Sequence, residues 1–317
     1  MPWLLVQSHI LNLGKSMQIV FGPVSSRRFG ASLGVDLSPA QKCCNFDCVY
    51  CELTAAKPVA VIENPPSVEQ VIAEVKAALA VHPHIDVITL TANGEPTLYP
   101  DLAWLVRELN LIKGRAKTLI LSIGSGVLDP KICEALKGLD IVKFSLDSAV
   151  QKTFARIDRS GDNIDVGELV AAMAKFRREF KGELVLEILV VKGLNDTKAE
   201  FEALNAALNQ ISPARVDIST IDRPPAYPVK GVSQELLREL AQQISGVPCV
   251  IASAKYGDEK FELSKEELLE LVKRRPQSQN DVINIFSESS KQNLQELLAV
   301  EKIKIVDAAG TKFYRLA

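Results

Sequence analysis

Short apolar runs alternate with longer amphipathic stretches along most of this chain. The short runs have the length and the β-branched content of buried strands. They predict six strands, at Leu33–Asp36, Asp86–Thr91, Thr118–Ser122, Ile141–Leu146, Leu184–Val191 and Arg215–Thr220. Strands that alternate with helices indicate βα units around a parallel sheet. The predicted fold class is therefore α/β, a partial (β/α)6 TIM-type barrel, with a doubly wound sheet as the alternative.

Several amphipathic stretches begin with residues that cap helices. Ser67 is followed three residues later by Gln70, which is the pattern of a capping box. Asp129 precedes a proline, a residue that suits the first position of a helix. Asp165 and Thr197 are N-cap candidates for two later helices. In both candidate folds, functional side chains are expected at the carboxyl ends of the strands.

The last fifty residues have a different pattern. Three amphipathic segments, Ser264–Arg274, Ser278–Phe286 and Glu288–Val300, precede two strand-like segments, Lys302–Val306 and Lys312–Leu316. Three helices followed by a hairpin are typical of a winged helix. This pattern favours a docking or structural module over a DNA- or RNA-binding domain. The predicted units are an N-terminal extension, a barrel and a winged-helix-like domain, at residues 1–16, 17–255 and 262–317.

The composition limits the classes of partner. The 317 residues carry 37 basic and 39 acidic side chains, a net charge of −2, which gives no overall attraction for nucleic acid. No apolar run approaches the ~18 residues of a bilayer span. Six cysteines without a secretory signature indicate a reducing compartment. We therefore expect a cytoplasmic protein with no membrane partner.

Cys44, Cys48 and Cys51 lie within eight residues, so their thiolates can converge on one metal centre. Three ligands would leave one iron of an iron–sulfur cluster with a vacant position. A zinc site would need a fourth ligand, but Cys43 is adjacent to Cys44 and the nearest histidine is His82. A disulfide or a chance grouping is a further alternative. The spacing favours an open iron–sulfur cluster.

The residues around these cysteines resemble the radical S-adenosylmethionine (SAM) superfamily. The likeness rests on the segment from Phe21 to Arg28, the segment Ser32–Leu37, and the cysteine motif with aromatic Tyr50 before its last cysteine. It extends over residues 17–317 and is nearest to a subgroup of wyosine-synthase-like proteins.

That resemblance implies a function. In the superfamily, three cysteines hold three irons of a [4Fe-4S] cluster, and the fourth iron binds the amino and carboxylate groups of SAM. The reduced cluster cleaves SAM to a 5′-deoxyadenosyl radical, which abstracts hydrogen from a substrate. The implied partners are an external electron donor of the flavodoxin or ferredoxin type and an unidentified substrate, for which a tRNA base and a partner protein are candidates.

A glycine-containing turn follows the second predicted strand, with Asn93, Gly94, Glu95 and Pro96. In the resemblance, this element binds the methionyl amine of SAM. Glycine lets the backbone approach a ligand, proline stiffens the turn, and a glutamate can pair with an ammonium group. An ordinary surface turn is the alternative. Asn93 stands where the superfamily often has another glycine.

Polar residues also follow the third and fourth predicted strands. Ser122 and Ser125 are placed to reach ribose or carboxylate oxygens. By strand alternation, Lys143, Ser145 and Asp147 share one face. Ser145 and Asp147 resemble positions that contact the cofactor, and a structural Lys143–Asp147 ion pair is the alternative.

Further charged residues are candidates for substrate binding. Glu187 interrupts an apolar strand, so it either has a buried partner or lies on the outer face. Asp222 begins a proline-rich segment in which Arg223 suits a carboxylate or phosphate, unless the segment is only a stiff connection. Arg27 and Arg28 are anion-binding candidates near the barrel opening.

Two other functions share these features. One is a redox-sensing regulator in which the cluster is the switch and the winged helix reads DNA. The other is an activase that installs a glycyl radical on a partner protein through a C-terminal docking arm. Cys43, Cys133 and Cys249 are interpreted as residues that bind no metal.

Overall fold

The structure, a computed structural model, describes residues 19–26, 28–161, 164–221, 223–251, 260–274, 276–308 and 311–317. The predicted N-terminal extension, Arg27 and Asp222 lie outside the described residues. An eight-stranded sheet forms the centre of the molecule. Its strands are β1 (Val20–Ser26), β2 (Gly30–Asp36), β3 (Val87–Thr91), β4 (Lys117–Ser122), β5 (Ile141–Ser145), β6 (Glu183–Val190), β7 (Arg215–Thr220) and β8 (Cys249–Ile251).

The strands follow one another across the sheet in sequence order, from β1 to β8. β1 pairs antiparallel with β2, and every later pair is parallel. A doubly wound sheet reverses its strand order at a switch point, and this sheet does not. The order is consistent with a partial TIM-type barrel. The six predicted strands are confirmed as β2 to β7.

Helices connect the parallel strands and pack on the outside of the sheet. They are α1 (Val68–Val81), α2 (Leu102–Ile112), α3 (Pro130–Leu136), α4 (Gln151–Ile157), α5 (Val166–Glu179), α6 (Lys198–Ile211) and α7 (Gln234–Ala241). The capping box before α1 is confirmed, since Ser67 and Gln70 exchange backbone-to-side-chain hydrogen bonds. Asp129, Asp165 and Thr197 cap α3, α5 and α6 as predicted.

The two faces of a strand have different environments, as β3 illustrates. Ile88 and Leu90 are fully buried in the core that also contains the α1 residue Val71. Thr89 and Thr91, one residue along in each case, line a cavity on the inner face. Alternation with period two thus gives an apolar outer face and a polar inner face. The polar face is the one available to a ligand.

The C-terminal segment forms a smaller unit. Its elements are α8 (Lys265–Arg274), β9 (Gln277–Ser278), α9 (Gln279–Ile285), α10 (Glu288–Ala299), β10 (Ile303–Ala308) and β11 (Thr311–Leu316). The three predicted helices and the hairpin are confirmed, although two residues of the hairpin turn, 309 and 310, lie outside the described residues. β9 was not predicted, and it adds a third strand in the antiparallel order β10-β11-β9.

The C-terminal unit packs against the first hairpin of the barrel. Val24 of β1 and Ala31 of β2 share a buried apolar cluster with Phe261, Leu268 and Leu271. Continuous apolar packing of this kind fixes the unit to the barrel wall. Among the helices in the described part of the chain, none combines the length and the apolar character needed to cross a membrane.

Candidate functional site

A cavity of about 520 Å³ lies inside the sheet. Its wall includes residues of β1 to β7 and two residues of the segment 42–51, here called the cysteine loop; Cys44 and Cys48 of that loop are not among the lining residues. Tyr50, Cys51 and Asn93 line the cavity at the carboxyl edge of the strands. Arg28, Lys143 and Glu187 are charged residues on its inner wall.

The cysteine loop is tied to the turn that follows β3. The backbone N–H of Cys43 donates to the carbonyl oxygen of Asn93 at 2.8 Å, and the carbonyl of Cys43 accepts from the N–H of Glu95 at 2.8 Å. Gly94, between them, has φ +141°, and a Cβ built there would lie 1.8 Å from the Cys43 carbonyl oxygen. Only glycine fits at this position, which explains the glycine of the motif.

The rest of the loop is held from the side of α4. The N–H of Val49 donates to the Ile157 carbonyl at 2.8 Å. The Phe46 ring is fully buried and packs edge-on against Phe154, with 6.2 Å between centroids. A loop fixed at both ends presents its thiols in one arrangement, which is what a metal centre requires.

All three candidate ligands are free thiols, with Cys48 buried and Cys44 and Cys51 partly exposed. Burial raises the pKa of the Cys44 thiol to about 12 and also raises the pKa of Cys48 and Cys51. Since a metal binds the thiolate, loading this site releases protons.

The donor set fits an iron–sulfur cluster. Three soft thiol ligands leave one of four irons without a protein ligand. Within the described ranges, no three His, Cys, Asp or Glu side chains are grouped to hold a single metal ion. In a cluster each cysteine binds a different iron, so the three ligands need not meet at one point. Cys133 lies on α3 and Cys249 on β8, away from the loop in the chain.

Glu95 is buried, and both its oxygens accept hydrogen bonds from the protein. Oε1 accepts from the backbone N–H and the hydroxyl of Thr97, at 3.0 and 2.5 Å, and from the Ser122 hydroxyl at 2.7 Å. Oε2 accepts from the N–H of Ile123 at 2.9 Å. Burial raises the pKa of Glu95, and these bonds oppose it. The carboxylate therefore joins the loops after β3 and β4, a positioning contact that was not predicted.

Asp147 and Tyr50 form a second buried contact. The Tyr50 hydroxyl donates to Asp147 Oδ2 at 2.5 Å, and the N–H of Leu189 donates to Oδ1 at 2.7 Å. Burial raises the pKa of Asp147 to about 6 despite these donors. The alternative pairing of Asp147 with Lys143 is wrong, because β5 ends at Ser145 and the alternation does not continue to residue 147.

Four charged residues, here called the charged quartet, meet inside the barrel. Lys143 Nζ lies 2.9 Å from Glu187 Oε2 and 3.2 Å from Asp217 Oδ2. Arg28 places Nη1 3.1 Å from Glu187 Oε1 and Nε 3.1 Å from Asp217 Oδ2. Burial favours the neutral form of Glu187, but Lys143 and Arg28 lower its pKa to about 2. Glu187 thus has buried partners, and the outer-face alternative is wrong.

The proline-rich loop after β7 lies against the cysteine loop. Arg223 lines the cavity, with Nη1 3.0 Å from Glu52 Oε2. The Tyr227 hydroxyl donates to Asp47, which lies between two of the cysteines. The loop is therefore more than a stiff connection, because it covers the cysteine loop through side-chain contacts.

Three buried aspartates of this region were missed from the sequence. Asp36 accepts from the N–H of Asn93 at 2.8 Å and so holds the turn after β3. Asp217 belongs to the charged quartet, and Asp158 raises the pKa of Cys48. Asp217 had the same signal as Glu187, a carboxylate within an apolar strand.

Comparison with known proteins gives consistent matches. A model described as the radical SAM superfamily matches residues 39–204. A UPF0026 protein of Helicobacter pylori is 41% identical over 299 residues, which cover 93% of this chain and 97% of that protein.

Solved structures show the same fold. A radical SAM methyltransferase from Sphaerobacter thermophilus superposes with a TM-score of 0.56 at 18% identity, over 70% of this chain and 66% of that one. SuiB of Streptococcus suis, bound to S-adenosylmethionine, gives 0.52 at 15% identity, over 70% and 52% of the two chains. At such low identities, the likeness is one of fold.

Proposed function

Because the chain belongs to the radical SAM superfamily, enzymes that bind a [4Fe-4S] cluster and SAM, we propose that Cys44, Cys48 and Cys51 hold the cluster of this enzyme. The superfamily, the enzyme class and the two cofactors were predicted from the sequence and are confirmed. The observation that carries the proposal is the loop of three free thiols, held by backbone hydrogen bonds on two sides, whose last thiol, Cys51, lines the cavity.

Reductive cleavage of SAM to methionine and a 5′-deoxyadenosyl radical is the chemistry that the bound cluster supplies. The residues of this chain bind and orient the reactants. Tyr50 and Asn93, which line the cavity beside Cys51, are proposed to contact SAM. Gly94 and Pro96 shape the backbone of that turn, and we assign the methionyl end of SAM to it.

The buried polar residues hold this arrangement in place. Glu95 and Ser122 connect the loops after β3 and β4, and Asp147 fixes Tyr50. Ser145 ends β5 on the same edge of the sheet and is proposed as a further contact to SAM. Rigid support from such contacts is what holds reactants in a productive geometry.

The substrate enters the same cavity. A volume of about 520 Å³ that also takes up part of SAM suits a small molecule or a single residue of a polymer. A tRNA base, the candidate that the resemblance supplies, would have to enter as one extruded nucleotide. The charged quartet and Arg223 are the groups that would face it.

The chain is proposed to comprise a barrel at 17–255 and a winged-helix-like domain at 262–317. The element order of the C-terminal unit, α8-β9-α9-α10-β10-β11 with a three-stranded sheet, supports this assignment. Lys273 of α8 lines the cavity, so the unit borders the entrance. This position favours a docking module that presents the substrate. An external donor of the flavodoxin or ferredoxin type is proposed to supply the electron.

Anaerobic reconstitution with iron and sulfide tests the proposal. The wild-type chain is expected to bind about four irons. With dithionite and SAM it should form 5′-deoxyadenosine. Cys48→Ala should lose the product, whereas the control Cys249→Ala should retain it. The proposal would be refuted if Cys48→Ala bound as much iron as the wild type. It would also be refuted if the EPR spectrum of the reduced cluster did not change on addition of SAM.

A further inference from the structure

Lys42, the first residue of the cysteine loop, has a buried side chain with an unusual shortage of partners. Its side chain is 9% exposed, and Nζ has no acceptor in hydrogen-bonding geometry among the described residues. The carboxylate paired with it, Asp47 Oδ1, lies 3.7 Å away. A buried ammonium group without hydrogen bonds is costly, so Nζ needs an acceptor that the described part of the chain does not supply.

Asp47 also contacts residues other than Lys42. Its Oδ2 accepts from the Tyr227 hydroxyl and lies 3.9 Å from Arg159 Nη1. Glu52, which follows Cys51 in the chain, is paired with Arg223 at 3.0 Å. Lys42 therefore shares its carboxylate partner among the described residues, which lies 3.7 Å away, with Arg159 and Tyr227.

Lys42 lies two residues before Cys44 in the chain. Its ammonium group acts electrostatically on the thiols of Cys44 and Cys51, so its charge lies close to both. Sulfur atoms of a bound cluster would therefore supply the acceptors that Nζ lacks. The backbone bonds of Cys43 to the turn after β3 keep Lys42 at this place.

We propose that Lys42 is the charge partner of the [4Fe-4S] cluster and raises its reduction potential. This proposal rests on the proposed function in one respect, that the three cysteines hold the cluster. Reduction takes one electron from a low-potential donor, here dithionite, and adds one negative charge to the cluster. A nearby ammonium group stabilises the reduced state more than the oxidised state, and hydrogen bonds to cluster sulfurs act in the same direction.

The test is an EPR-monitored redox titration of the anaerobically reconstituted full chain. Lys42→Met should shift the midpoint potential to a more negative value, and Lys42→Arg, which keeps the charge, should stay near the wild type. Lys57→Met removes an exposed lysine of the neighbouring segment and should leave the potential unchanged. Iron content is measured for each variant, and Lys42→Gln replaces Lys42→Met if the latter does not load.

The outcomes separate the two proposals. A wild-type chain without a cluster would overturn both. A loaded wild type whose potential is matched by Lys42→Met or Lys42→Gln would overturn the role of Lys42 alone. Thermal unfolding of the metal-free protein tests the alternative that Lys42 has only a structural role. In that case Lys42→Met should lower the Tm and leave the midpoint potential of the cluster unchanged.

Discussion

The barrel contains two groups of buried carboxylates that are stabilised in opposite ways. At the carboxyl edge, Asp147 is held by the Tyr50 hydroxyl and a backbone N–H, and burial raises its pKa to about 6. In the charged quartet, Glu187 is held by two cations, and its pKa is about 2. Asp147 is fully buried and Glu187 borders the cavity with its side chain 29% exposed, yet desolvation favours the neutral form of both carboxylates.

Burial alone therefore does not decide which carboxylate is ionised. The kind of partner decides it, because a full positive charge outweighs desolvation and neutral donors do not. At the edge beside the cysteines, Asp147 has neutral donors and a second buried carboxyl group, Asp158, as neighbours, whereas the cations on the inner wall of the cavity balance its carboxylates. A ligand on the inner wall meets the charges of Arg28, Lys143 and Glu187, whereas Asp147 is buried behind the cavity wall.

Removing a cation from the charged quartet should have the largest effect on the free energy of unfolding. Lys143→Met leaves Glu187 with Arg28 alone, and Asp217 with Arg28 and Arg215. Removing one partner of a buried pair typically costs about 3–5 kcal/mol. We expect that loss in urea unfolding of the metal-free protein. Lys117→Met, on the neighbouring strand and exposed, should change stability by less than ~0.5 kcal/mol. If Lys143→Met lost no more stability than Lys117→Met, the four residues of the charged quartet would not be tightly paired.

The stability of the protein at acid pH depends on the ionised Glu187. The pKa of Glu187 is lowered from 4.5 to about 2 on folding, so its contribution is complete above about pH 5 and is lost as the pH falls toward 2. The contribution is at most about 3 kcal/mol. Glu187→Gln should remove this part of the pH dependence between pH 5 and 2, measured by urea unfolding at several pH values. An unchanged slope would contradict the lowered pKa.

The contribution of Asp147, at the carboxyl edge of the sheet, should depend on pH in the opposite sense to that of Glu187. Asp147 has its pKa raised from 3.8 to about 6, so its contribution is present below about pH 4 and is lost as the pH rises through 6. Tyr50→Phe removes a donor that favours the charged form. Loss of a hydrogen bond to a charged group costs about 1.5–3 kcal/mol, and to a neutral group about half that.

The Tyr50→Phe variant should therefore be more destabilised at pH 8 than at pH 4.5 in urea unfolding of the metal-free protein. Tyr314→Phe, a buried ring in the C-terminal unit, serves as the control and should show no such pH dependence. An equal effect of Tyr50→Phe at both pH values would show that Asp147 does not titrate in this range.

Sequence pattern predicted the parts of the fold that depend on local chemistry. β2 to β7 were found because strands buried on the outer face have apolar runs of the right length, and helix caps were found from single residues such as Ser67. β1 was missed because Gly22 and Pro23 interrupt it and its register shifts between Phe21 and Val24. β8, three residues long, has too little pattern to recognise.

The contacts of the site were less predictable for a physical reason. The cysteine loop was recognised because its ligands are close in sequence. The partners of Lys143 come from β6 and β7, and Glu95 finds its donors on the loop after β4. Such pairings depend on which strands become neighbours and where each strand ends. The local pattern of apolar and polar residues predicts neither of these.

The ion pair between the proline-rich loop after β7 and Glu52, next to the cysteine loop, should make the smallest contribution to the free energy of unfolding. Unlike the contribution of the charged quartet, it should depend on salt. Arg223 and Glu52 pair at 3.0 Å with side chains 17% and 31% exposed, more open to solvent than the quartet's Lys143 and Asp217. Ion pairs near the surface contribute about 0–1 kcal/mol, and salt screens them. Arg223→Ala should therefore cost at most about 1 kcal/mol at low salt and less at 1 M salt.

Urea unfolding at both salt concentrations measures this difference, with Lys143→Met as the reference whose cost should change little with salt. Arg238→Ala breaks an exposed ion pair on α7 and should have no measurable effect at either concentration. If Arg223→Ala instead cost as much as Lys143→Met and did so at both salts, the proline-rich loop would be fixed like the charged quartet. Its contact with the cysteine loop would then be part of the rigid interior.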